Sequence, residues 1–362
     1  MSGFENIIIG SAHEGSSELF AAEDQQMSSE ELAVKRKEKG ILENVSQSFE
    51  STLEYAGYEQ VREIGGGIQY PTIDQWINHR ISFDRGTKFF PCFLKNKEGK
   101  IFFAKVKISN DPSADDRLKR EFDILKHLPA GVRVPKPEVY LPGDDRNLSL
   151  LIIEMIPFSE AGVRDSSEWK KEHALNVASQ IKILESQKQE ETDVDNNDTE
   201  EPVDFAGECE QLLVRAGETL DPLLAAKVKD VILRYKSINR TVLVHGDLAT
   251  KNVLIGKDEK AILVDWELSS THGFLGQDAA KIWSSLSGEP RKALAESYAL
   301  AESGKADEER KIALQFGVIT ENLVHLAWRN ENIISKGKEG ESPNLAIDIE
   351  NYNNNIREIL SI

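Results

Sequence analysis

Two aspartates and an asparagine, each delivered by a strand end or the turn that follows it, are the residues of this chain best placed to do chemistry. The apolar strand TVLV ends at His245-Gly246-Asp247, Asn252 lies five residues after Asp247, and a second apolar strand, AILV, ends at Asp265. A hydroxyl is a poor nucleophile at neutral pH, and a carboxylate positioned on its proton helps as charge develops in the attack. Asp247 suits that role. The amide oxygen of Asn252 and the carboxylate of Asp265 are hard oxygen donors of the kind magnesium takes around a polyphosphate. His245 is expected to orient the loop through hydrogen bonds rather than to accept a phosphoryl group. Trp266 reads as packing, and Glu267 aids the metal, binds substrate or braces its loop.

These residues need a scaffold on both sides. KFFPCFLK and KIFFAKVKI, joined by NKEGK, read as an antiparallel hairpin, followed by a helix over SADDRLKREFDILKHL with Asp115 and Asp116 at its electropositive end. VRVPKPEVYLPG is a loop and short strand and NLSLLIIEMI a further apolar strand, so strand, strand, helix, strand, strand gives a compact α+β lobe. Beyond it the pattern is helical. SSEWKKEHALNVASQIKILESQ offers Trp169, Leu175, Ala178 and Ile181 as buried positions, and ECEQLLVRAGETLDPLLAAKVKDVILRYKSI continues the helical reading. Before the hairpin, the run from Ser29 has Leu32, Leu42, Val45, Phe49 and Leu53 at helical spacing, which suggests a prefix packed on the following lobe.

The chain of 362 residues carries a net charge of -18, with 40% hydrophobic and 29% charged residues. That composition builds a globular core and opposes unspecific binding to nucleic acid or an anionic bilayer. Residues 1–50 hold a net -6 and residues 185–210 a net -10, so the body of the protein is nearly neutral. The stretch 190–204 has 8 acids in 15 residues and reads as a mobile insertion. Cys92 and Cys209 are expected to be reduced thiols, and no run of 18 apolar residues suggests a membrane span. A cytoplasmic protein without nucleic-acid or membrane partners is the expectation, its oligomeric state left open between monomer and homodimer.

The segment HGDLATKN followed by DWE resembles the aminoglycoside phosphotransferase and choline-kinase-like family of small-molecule kinases, within the protein-kinase-like superfamily. Protein kinases have an H-R-D-L-x-x-x-N pattern and DFG at these places. The resemblance covers about residues 80–335 and implies an α+β, bilobal protein-kinase-like fold with a β-rich N-terminal lobe and a mainly helical C-terminal lobe. On that division residues 1–57 are an acidic, partly helical extension. Residues 58–157 are the nucleotide-binding lobe, and 158–362 the catalytic and substrate lobe with the acidic insertion near 185–210. The implied activity is ATP-dependent transfer of the γ-phosphate to a small-molecule hydroxyl, with Mg2+ as the metal, Asp247 as the base, and Asn252 and Asp265 as its ligands. Asp278 resembles the family's structural aspartate after the metal-binding loop.

For the nucleotide, Lys105 resembles the phosphate-binding lysine, with Lys107 the alternative on the same strand face and Glu121 the ion-pair partner. Gly86-Thr87 is favoured by position over Gly65-Gly66-Gly67 as the turn above the phosphates. Glu154-Met155-Ile156 resembles the hinge whose backbone groups at Glu154 and Ile156 read the adenine edge, Met155 being a wall or core residue. The acceptor is sought on the helix with Glu321, His325, Trp328 and Glu331, an acidic-aromatic face suited to an amine or a sugar. The same helix is also readable with Leu323, Leu326 and Trp328 as core and the two glutamates in solvent. An aminoglycoside, an amino alcohol and a sugar all remain open as acceptors. The alternatives are a protein kinase, for which the activation segment and APE-type anchor are missing from ELSSTHGFLGQDAAKIWSSL, and a nucleotide-binding kinase-like protein without turnover.

Overall fold

The alternating run that reads as a hairpin folds as one. In the computed structural model, which describes residues 45–64, 68–73, 75, 89–108, 113–144, 147–157, 161–163, 166–187, 203–301, 303–337 and 344–362, Phe89–Asn96 (β4) pairs antiparallel with Ile101–Lys107 (β5). The two strands lie in a sheet of order β1-β4-β5-β7-β6, with β1 Tyr58–Val61, β6 Pro137–Leu141 and β7 Leu150–Glu154; Glu63–Ile64 (β2) and Ile68–Gln69 (β3) form a separate small ribbon. A helix over residues 45–56 (α1) covers one face. Its Phe49 and Leu53 pack with Phe90, Cys92 and Leu94 of β4, Phe102, Ala104 and Val106 of β5, and Leu150 and Ile152 of β7. Because side chains alternate along a strand, the odd-numbered positions of β5 face the other way. Phe103 there packs with Phe93 and Tyr70, Met155 lies partly buried against the same cluster, and Lys105 shares this parity. Ser113–His127 (α2) follows β5 with Asp115 and Asp116 in its first turn and Lys126 and His127 in its last, each favoured by the helix dipole.

These elements form one of two compact units, built from Met1–His127 with Pro135–Phe158; Leu128–Val134 and Ser159–Ile362 make the second. The short segment around Arg133 groups with the second unit for a visible reason. Its N–H donates to Oε1 of Gln180 at 2.8 Å and its carbonyl accepts from the N–H of Leu263 at 2.8 Å.

The second unit is mainly helical. After Ala161–Val163 (β8) come Lys171–Glu185 (α3), Phe205–Ala216 (α4) and Pro222–Lys236 (α5). They are followed by Thr241–Val244 (β9), Val253–Gly256 (β10), Ala261–Leu263 (β11) and Ser270–Phe274 (β12). The chain closes with Gln277–Ser285 (α6), Gly288–Tyr298 (α7), Glu308–Asn332 (α8) and Leu345–Leu360 (α9). Strands β11-β10-β8 and β12-β9 form two small sheets. The stripe buried on α3 is His173, Ala174, Val177, Ala178, Ile181 and Leu184, so Leu175 is rotated off it and exposed, contrary to the sequence expectation. The long helical reading after residue 205 breaks at Gly217, and Asp221 caps a fresh helix with Pro222 at its first position. Helix α8 is buried around much of its circumference, and its Phe316 stacks on Tyr235 at 3.8 Å between ring centroids.

Both cysteines are free and buried, Cys92 in the first unit and Cys209 in the second. No helix among the described residues is long and apolar enough to cross a membrane. Gly86, Thr87, Gly65-Gly66-Gly67, the run before residue 45 and most of the acidic stretch 190–204 lie outside the described residues.

Candidate active site

In the second unit, β9 delivers His245-Gly246-Asp247 and a buried carboxylate fixes the exit of the strand. Asp278, near the start of α6, accepts from the N–H of His245 at 2.6 Å and from the N–H of Gly246 at 3.0 Å. Burial pushes its carboxyl up to about 7, and the two backbone amides pull the other way. Gly246 has φ 84, and a Cβ there would stand 2.1 Å from the carbonyl oxygen of Leu268. Any L side chain at this position meets both a strained backbone and a backbone clash. Gly246→Ala is therefore expected to lower stability by about 1–2 kcal/mol from conformation alone, with a further loss from the clash. A thermal melt and a nucleotide titration of the variant check this.

The loop is then closed by its own groups. The Nε2 of His245 donates to the carbonyl of Val264 at 2.9 Å, its Nδ1 accepts from the N–H of Asp247 at 3.4 Å, and its ring packs on Trp266 with centroids 4.6 Å apart. This is the bracing role the sequence suggested. Trp266 is fully buried, its Nε1 donating to Leu263 at 3.1 Å. Asn252 ends a single 3-10 turn, Thr250–Asn252, and its Nδ2 donates to the Asp247 carbonyl at 2.8 Å and to Asp247 Oδ2 at 3.0 Å. The N–H of Val264 donates to the Asn252 carbonyl at 3.0 Å, so the hairpin β10-β11 brings Asp265 to the same end as Asn252.

The donor set suits a hard cation. With its Nδ2 turned to Asp247, Asn252 has its amide oxygen to offer, and carboxylate oxygens of Asp265 and Glu267 lie within 4.8 Å of one another. Asp265 also has φ 69, a left-handed backbone that few non-glycine residues adopt and that recurs at working sites.

Lys251 and Lys281 complete the surroundings of Asp247. The Nζ of Lys251 lies 2.9 Å from Oδ2, and the Nζ of Lys281 lies 3.8 Å from Oδ1 and 3.1 Å from Oε1 of Glu321. Sequence reasoning missed both lysines. Lys251 directly precedes Asn252, and Lys281 comes three residues after Asp278, a spacing that puts Asp278 and Lys281 on one face of α6.

In the first unit, Lys105 and Glu121 form a buried pair, with Lys105 Nζ 2.8 Å from Oε2 and 3.1 Å from Oε1. Lys107, two residues along the same face, pairs instead with Asp115 in the first turn of α2. The backbone N–H of Glu154, one of the groups expected to read the base, donates instead to the Lys136 carbonyl at 2.7 Å.

A model of the phosphotransferase enzyme family, APH, matches residues 94–313, well over half of the chain and including Asp247, Lys251, Asn252, Asp265, Glu267, Asp278 and Lys281. The chain belongs to that family. As a phosphotransferase it is an enzyme, a small-molecule kinase. Among solved structures it is similar to a macrolide 2'-phosphotransferase type I at 14% identity, over 83% of this chain and 94% of that one, with a TM-score of 0.50. It is also similar to the macrolide 2'-phosphotransferase MphH apoenzyme from Brachybacterium faecium, at 16% identity over 73% and 89% with a TM-score of 0.48. The choline kinase LicA from Streptococcus pneumoniae is another such structure, at 14% identity over 86% and 97% with a TM-score of 0.44. The search of curated proteins gave no match. The fold of the phosphotransferase is α+β and bilobal in the kinase manner, with a β-rich first unit and a mainly helical second.

Helix α8 divides the residues that the sequence grouped together as a candidate acceptor face. Glu321 and His325 lie near Lys281, with His325 Nε2 3.9 Å from Glu321 Oε1. Glu331 is held elsewhere, by Arg215 at 2.7 and 2.9 Å. Leu323 and Leu326 are core, but Trp328 is 54% exposed and does not belong to it.

Proposed function

We propose that this phosphotransferase moves the γ-phosphate of ATP to a hydroxyl of a small molecule, with an aminoglycoside, an amino alcohol or a sugar as the candidate acceptors, and with Asp247 as the proton acceptor. The observation that carries this reading is the uneven use of the Asp247 carboxylate. Oδ2 receives Asn252 Nδ2 and Lys251 Nζ, while Lys281 stands 3.8 Å from Oδ1, beyond hydrogen-bond distance. One oxygen is thus anchored and the other is left to take a proton from an attacking hydroxyl. Buried Asp278 and His245 keep the loop from turning that oxygen away.

Magnesium would be held by Asn252 and Asp265, with Glu267 beside them, and when bound it neutralises charge on the triphosphate. Lys105, positioned by Glu121, is assigned to the nucleotide phosphates, Gly86 and Thr87 to the turn above them, and the backbone at Glu154 and Ile156 to the base. Residues 58–157 are accordingly read as the nucleotide-binding lobe, 158–362 as the catalytic and acceptor lobe, and 1–57 as an extension. A cytoplasmic setting supplies ATP and magnesium and keeps both thiols reduced. The protein-kinase alternative is weakened at Gly246, since the arginine of H-R-D would need the left-handed backbone and the space occupied by Leu268.

Asp265→Asn tests the metal assignment. Loss of a ligand charge is expected to weaken binding of magnesium with a non-hydrolysable ATP analogue at least tenfold, read by calorimetric titration with and without the metal. Unchanged affinity and unchanged metal dependence would sink the role given to Asp265.

A further inference from the structure

Beside Asp247 Oδ1, where the acceptor is proposed to bind, stands an ion pair, Lys281 with Glu321. Helices α6 and α8 cross closely enough that a Cβ on Gly317 would stand 2.7 Å from that of Ala280, and one on Gly276 would stand 2.5 Å from the carbonyl oxygen of Ala313. Lys281 is the next residue after Ala280, and Glu321 lies one helical turn beyond Gly317 on the same face. The tight crossing therefore sets Lys281 against Glu321 at 3.1 Å, and the same Nζ lies 3.8 Å from Asp247 Oδ1. Lys281 and Glu321 are about one-third exposed and Asp247 about one-fifth, so a small molecule can reach all three. Of the two glutamates that the sequence offered on α8, Glu321 is engaged by Lys281 and Glu331 by Arg215. An ammonium group next to the reacting hydroxyl would instead stand beside the Lys281 ammonium, and like charges at that range repel.

The gap between Lys281 and Oδ1 exceeds a hydrogen bond and suits two adjacent oxygens of one molecule. We propose that Lys281 and Glu321 are the acceptor-binding pair and that the acceptor is an uncharged polyol with vicinal hydroxyls, a sugar without an amino group next to the reacting position. This rests on Asp247 being the base. One hydroxyl passes its proton to Asp247 Oδ1 as its oxygen forms the new bond to the γ-phosphorus. The bond from that phosphorus to the β,γ-bridging oxygen breaks, and ADP leaves with the electron pair. The neighbouring hydroxyl accepts from Lys281 and donates to Glu321, as only a group that is both donor and acceptor can do.

The test measures phosphate transfer from magnesium-ATP by the whole protein to glucose, ribose and myo-inositol against glucosamine, 1-amino-2-propanol and kanamycin. At least one polyol is expected to exceed its amino counterparts tenfold or more in kcat/KM. Lys281→Met should raise KM for that polyol at least tenfold, Lys281→Arg should restore most of the loss, and Lys281→Glu should shift preference toward the amines. The proposal is overturned if no polyol is phosphorylated, if an amine is preferred by the native protein, or if Lys281→Met leaves KM and kcat unchanged. A failure of the kinase reading itself looks different. In that case nucleotide does not bind, or transfer is indifferent to Asp247→Asn.

Discussion

Asp247→Asn is expected to lower phosphoryl transfer by about 10²-fold or more while magnesium-nucleotide affinity stays within a few-fold. The reason lies in the two donors that hold Oδ2, the Nδ2 of Asn252 at 3.0 Å and the Nζ of Lys251 at 2.9 Å. A carboxamide in this place must turn its oxygen toward them, because its NH2 would face other donors. Its NH2 group then occupies the place of Oδ1, where a proton has to be accepted. The loop keeps its shape, since Asp278 and His245 act on the backbone. Steady-state transfer to an accepted hydroxyl, paired with calorimetry on a non-hydrolysable analogue, reads the two quantities separately. Near-normal turnover would show that Asp247 is not the base even though the fold is kinase-like.

Lys105→Ala is expected to cost stability and nucleotide binding together, and a second substitution separates them. Glu121 is fully buried and both of its oxygens accept from Lys105. Removing one partner of such a pair costs about 3–5 kcal/mol, which for a unit of this size corresponds to a drop in melting temperature on the order of 10 °C. Adding Glu121→Gln removes the buried charge and should recover much of the stability. It should not recover nucleotide affinity, because the cation assigned to the phosphates is still missing. Lys107→Ala loses only a partly exposed pair with Asp115 and should change stability by about 1 kcal/mol or less. If Lys107→Ala abolishes nucleotide binding and Lys105→Ala does not, the phosphate lysine has been assigned to the wrong position.

The parts of this site that could be read in the sequence are those fixed by neighbours along the chain. The β4–β5 hairpin announces itself by alternation and by the turn at Gly99, and the loop from His245 to Asp265 by a strand at each end. Lys281 is different. Its place against Glu321 depends on α6 meeting α8, a crossing permitted by Gly276 and Gly317, and nothing local in DAAKIW reports it. Glu321 and Glu331 look equivalent by helical spacing, yet Lys281 takes one and Arg215 the other. Leu175 failed for a plainer reason: α3 has enough apolar residues for a stripe that does not need it.

The two cysteines divide between the two units, and each is sealed in its own core. Burial raises the Cys92 thiol far above its usual value and the Cys209 thiol to about 11. Alkylating reagents attack the thiolate, so at neutral pH each sulfur becomes reactive when its own unit opens. The native chain thus carries an internal clock in each half, readable by mass as labelling accumulates at Cys92 or at Cys209. Ligands that steady one unit alone would slow one clock and leave the other running.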